Sequence, residues 1–93
     1  MIDRKYRFVG FNPCTGTIHT EDDSVLFNAA DMFLPMTLAF YHDQCKMGGA
    51  DSNHLISIQL LHARVIEFQK ERGSKLPDTN TLCEIDRCIK GRI

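Results

Sequence analysis

The sequence predicts an α+β fold: a short N-terminal antiparallel β-meander, a helical hairpin, and a short C-terminal helix. Three observations predict it. Residues 51–73 carry helical periodicity between two helix-terminating signals. Residues 5–27 alternate in strand fashion between turn residues. A Gly48-Gly49-Ala50 link joins the long helix to a second apolar stretch and is short enough to fold the two back on each other.

The meander comes first. In the run from Lys5 to Phe11, Tyr6, Phe8 and Gly10 share one face, and Arg7, Val9 and Phe11 share the other. Asn12-Pro13-Cys14-Thr15-Gly16 reads as a turn, because proline presets φ and glycine accepts a positive φ. Thr17 to Glu21 returns as a β-branched second strand. After a polar corner at Asp22-Asp23-Ser24, Val25-Leu26-Phe27 reads as a short third strand. So little sheet needs a helix on its apolar face.

Asn28 is placed to cap a short turn, and a helix is expected from about Leu34 to Met47, with Pro35 in its first turn and Gly48-Gly49 at its end. Phe33, Met36, Phe40 and Met47 lie on one side of it, and Leu34, Leu38, Tyr41 and Cys45 on another. The long helix has an N-cap in Asp51, a closing glycine in Gly73, and Lys70 and Arg72 where the helix dipole favours cations. Phe68, Leu61, Val65, Ile58, Leu55 and Ile66 span an arc of about 160°, and Ala63, Ile56 and Leu60 form a second strip. Two apolar strips on one helix of so small a protein demand a sheet or another subunit. Thr81-x-x-Glu84 is a capping-box signature for a last helix over 82 to about 90, with Leu82, Ile85 and Ile89 as its buried side and Gly91 as its stop. The expectation is a single domain, 1–93: meander 1–27, helical hairpin 33–73, short helix 81–91.

Composition narrows the function classes. A chain that is 43% hydrophobic and 25% charged is globular, and no apolar run reaches the length of a membrane span. The start MIDRKYRF does not read as a signal peptide, so a cytoplasmic protein is expected. A net charge of −1 argues against a dedicated nucleic-acid binder. Four cysteines, at 14, 45, 83 and 88, form no C-x-x-C pair and are expected as reduced thiols.

No Walker loop, dinucleotide fingerprint, zincin motif or nucleophile elbow is present, so a non-enzymatic protein without cofactor is expected. His42 and Cys45 are neighbours on a helix and with Cys83 and Cys88 could complete a zinc tetrahedron, but no recognised ligand spacing supports it, and no metal is assigned. Glu21-Asp22-Asp23 beside His19 reads as a solvated turn. His62 falls in the main apolar arc of the long helix, as a core or interface histidine. The basic residues form two terminal clusters: Arg4, Lys5 and Arg7, and Arg87, Lys90 and Arg92. Brought together, they would make an anion pocket, with Tyr6, Phe8 and Phe11 offering stacking surface. The plainer reading is a solvated rim with core aromatics.

A hairpin RFVGFNPCTGTI, a strand VLF, the helical hairpin LPMTLAFYHDQCKMGGADSNHLISIQLLHARVIEFQ and a capped tail together resemble small accessory proteins of bacteriophages. The layout is similar to the phage anti-Thoeris sponge proteins. That resemblance implies a homo-oligomer, assembled through its helices, that traps a cyclic nucleotide messenger in pockets between subunits without cleaving it. It implies the cytoplasm of an infected bacterial host as the place of action. By residue type, the implied ligand-binding positions are Arg4, Arg7, Asn80, Arg87 and Arg92, with Phe8 or Phe11 for stacking. Two other classes stay open: a protein-interaction inhibitor of a host defence enzyme or nuclease, using the acidic corner, and a zinc-stabilised nucleic-acid-binding module.

Overall fold

In the computed structural model, which describes residues 1–91, strands β1 (Val9–Phe11) and β2 (Ile18–Thr20) pair antiparallel in the register Val9↔Thr20, Gly10↔His19, Phe11↔Ile18. Their turn is built as its residues dictate. The Asn12 amide donates to the Thr17 carbonyl at 2.9 Å, the Asn12 side chain accepts from the Cys14 amide at 2.9 Å, and Gly16 takes φ 74°.

The third strand expected at Val25-Leu26-Phe27 does not form, so the N-terminal sheet is a two-stranded hairpin, not a meander. The cause is competition for backbone donors. The Leu26 amide, which a ladder would need, donates to Asp3 Oδ2 at 2.9 Å, and the Ser24 amide turns back to the Thr20 carbonyl. The first strand is short for the same reason. The amides of Lys5 and Tyr6 both donate to Asp3 Oδ1, at 2.9 and 2.8 Å.

Helix α3 (Leu82–Ile85) opens on the expected capping box: the Glu84 amide donates to Thr81 Oγ1, and the Glu84 carboxylate accepts from the Thr81 amide. It then widens into a π turn, Asp86–Lys90, closed by Gly91 at φ 66°. The wider turn changes the helical phase after Ile85. Leu82 and Ile89, expected inside, are 83% and 70% exposed, Ile85 is half-buried, and Arg87 takes the interior position. Together with Met1–Leu26 these elements form one compact unit, here the terminal unit.

Phe27–Pro77 form the other, helical unit. Asn28 caps the entering turn by accepting from the Ala30 amide at 2.8 Å, and Asp31 accepts from the Phe33 amide. Helix α1 (Leu34–Met47) carries its proline in the first turn, and α2 (Ser52–Arg72) starts on Asp51, whose side chain accepts from the His54 amide at 2.9 Å. Gly73, at φ 84°, ends α2. The two helices pack on one another around Leu34, Ile58 and Val65, the buried hydrophobic residues of the described chain. Gln69 ties the end of α2 to the loop before α1 by donating to the carbonyls of Ala29 and Asp31. A single parallel bridge joins Asp31 to Lys75. Leu61 and Ile66, expected in the buried arc of α2, stay exposed, as do Ile56 and Leu60 of its second strip. No helix is long and apolar enough to cross a membrane among the described residues.

Candidate functional site

The terminal unit is organised by two buried charged side chains, Asp3 and Arg87, each under a tenth exposed. Burial alone would raise the Asp3 carboxyl. Three backbone amides, from Leu26, Tyr6 and Lys5, with the Arg87 charge nearby, more than offset it and hold the carboxyl below its usual range. Arg87 Nη2 donates to Glu21 Oε2 at 2.5 Å, and its carbonyl accepts from Arg4 Nε at 3.3 Å. The two terminal basic clusters therefore do meet, through Arg4 and Arg87.

Beside this ion pair lies an open groove of 360 Å³, lined by Arg7, Phe8, Val9, Thr20, Glu21 and Asp22. Its electrostatics follow from its partners. Glu21 is compensated by Arg87. Asp22 makes no side-chain hydrogen bond or ion pair among the described residues, and neither does Arg7. Arg7 is exposed and Phe8 half-buried next to it. The groove thus presents one available guanidinium, one aromatic ring and one uncompensated carboxylate. Lys5 is already engaged: its ammonium meets Glu84 Oε2 at 3.3 Å and donates to the Asp78 carbonyl. Burial works against that ammonium's charge, but the Glu84 carboxylate outweighs it and raises the Lys5 pKa.

The remaining expected ligand residues are dispersed. Phe11 stands exposed across from Ile18 on the hairpin, and Asn80 is exposed in the loop before Thr81. Arg92 lies outside the described residues. Two of the three acids of the corner are engaged from within the unit. Besides the Glu21–Arg87 pair, Asp23 accepts from His19 at 2.8 Å, from the Thr20 amide and from the Ser24 hydroxyl, which keeps its carboxyl below the usual range.

A second groove, of 190 Å³, opens between α1 and α2, with Leu38, Ala39 and Ile58 as its apolar lining. His42 and His62 face it with Asp43 and Gln59. The His42 side chain is 18% exposed, held between Asp43 Oδ1 at 3.3 Å and Gln59 Nε2 at 3.1 Å. Sequence spacing gives no sign of its cross-helix partner Gln59. Of the residues considered for zinc, His42 and Cys45 belong to the helical unit and Cys83 and Cys88 to the terminal unit. No three potential ligands converge among the described residues. The chain matches no protein-family model, no curated protein and no solved structure.

Proposed function

We propose that the chain is a non-catalytic binding protein that associates with copies of itself and sequesters a small anionic nucleotide, in the manner of the phage sponge proteins its layout resembles. One observation carries the proposal: an unpartnered guanidinium, Arg7, stands beside a half-buried aromatic ring, Phe8, at an open groove. A phosphate fits the fork of a free arginine, and a base fits the face of an aromatic ring. Arg4, anchored on the Arg87 carbonyl, adds positive charge on the same unit. Arg87 acts through Glu21: by neutralising that carboxylate it removes one repulsion from the groove.

The test is calorimetric titration of the wild type, Arg7→Ala and Asp22→Asn with a panel of cyclic mono- and dinucleotides. Losing one charge-assisted pair should weaken binding roughly 10- to 100-fold in Arg7→Ala. Removing the uncompensated acid should tighten it by about threefold in Asp22→Asn, the scale of a solvent-exposed charge interaction. Equal affinities in all three proteins, or no binding to any member of the panel, would refute the assignment.

A further inference from the structure

Helix α1 carries an apolar strip that its own chain does not use. At about 100° per residue, Leu34, Pro35, His42 and Cys45 lie within about 60° of Leu38, and these five are its buried or half-buried positions. Phe33, Met36, Phe40 and Met47 lie about 160–220° round from Leu38, diametrically opposite. They are 43%, 66%, 66% and 80% exposed. Their spacing follows the alternating three and four of a coiled-coil seam, with Asp43 at the one interrupted position.

We infer that this strip packs against the same strip of a second copy, antiparallel, about a two-fold axis at Phe40. The inference rests on the self-association in the function proposed above and is independent of the ligand.

Register and charge select this occupant and this geometry. With the axis at Phe40, Phe40 meets Phe40 of the second copy, Phe33 meets Met47, and Met36 meets Gln44. All four apolar residues are covered, and each contact is repeated by symmetry, as an isologous interface requires. Asp43 falls opposite Thr37, a small polar side chain whose hydroxyl donates to the Phe33 carbonyl at 2.7 Å, and so meets no apolar residue. The two Asp43 side chains are then separated by six residues along the helices, about 9 Å. A parallel pairing would set Asp43 against Asp43 and align the helix dipoles. Sliding the antiparallel pair until Met36 meets Met47 would set Asp43 against Phe40. Of these three arrangements, the Phe40-centred one avoids both penalties and covers all four apolar residues. The exposed area of the four side chains is about 500 Å² per chain, taking large side chains at roughly 200 Å² each. Two copies would then bury about 1,000 Å², the lower bound for a specific interface.

The experiment is sedimentation of the full chain without ligand, alongside Phe40→Glu, with bismaleimide cross-linking of two added cysteines in a Cys14→Ser/Cys83→Ser background. Phe40→Glu brings two carboxylates together on the axis and should raise the dissociation constant at least tenfold with helical circular dichroism unchanged. Phe40→Cys should cross-link into dimers, whereas Leu60→Cys, on the outer side of α2, should not. The cross-linking arm stands even if Phe40→Glu folds poorly. An assembly that survives Phe40→Glu and cross-links equally from both positions overturns the interface but leaves self-association intact. A monomeric wild type overturns both.

Discussion

Asp3 shows how one side chain can set local backbone structure. Its carboxylate takes amides that would otherwise extend β1 and start a third strand, so the hairpin is short because Asp3 is charged and buried. Its folded pKa lies below the unfolded value of about 3.9, so its contribution is fully present above that pH and fades as pH falls through the folded value. Urea midpoints followed from pH 7 downward should therefore drop more steeply below about pH 4 for the wild type than for Asp3→Asn. At neutral pH the variant should be less stable by about 2 kcal/mol, the scale of hydrogen bonds to a charged acceptor. Arg87 is the complementary case. Arg87→Ala leaves Glu21 without its partner and should cost about 3–5 kcal/mol, whereas Glu21→Gln with Arg87→Met should recover much of that loss. A binding assay on Arg87→Ala alone would chiefly report folding.

At the scale of elements, what could be read ahead was what is local. Asp51 and its acceptor bond to the His54 amide, Gly73, Pro35 and the Thr81–Glu84 box all lie within four residues of what they control, and all are present in the structure. Asp51→Ala is accordingly expected to destabilise the chain by about 1 kcal/mol in chemical denaturation, with the slope of the transition unchanged. The α+β order of sheet, helical hairpin and short helix was equally legible. The π turn was not, because a widened turn has no residue signature and here accompanies a contact 66 positions away, between Arg87 and Glu21. That long-range pair also reversed the expected inside and outside of the last helix, exposing Leu82 and Ile89. Of the expected ligand residues, Arg7 and Phe8 line one groove and Arg4 reaches the Arg87 carbonyl. The charge state of their surroundings depends on partners that spacing alone does not disclose.

At the scale of the molecule, its two units differ in how the chain supplies them. The helical unit is one continuous segment, and the terminal unit is assembled from two segments on either side of it. Within the helical unit, the Met32 amide donates to the Lys75 carbonyl at 3.0 Å and the Lys75 amide to the Ala30 carbonyl at 2.8 Å, which holds its incoming and outgoing strands of chain together. That bridge has a kinetic consequence. Drawing the ends of a loose segment of about 50 residues together costs roughly 3.5 kcal/mol of chain entropy. Once α1 and α2 have closed on each other and the Asp31–Lys75 bridge has formed, that cost is already met. The Arg87–Glu21 contact then has only short tails to search. Connectivity therefore predicts that the helical pair, built from contacts near in sequence, forms ahead of the Arg87–Glu21 pair, so that Glu21→Gln with Arg87→Met should change the unfolding rate more than the folding rate in stopped-flow denaturation.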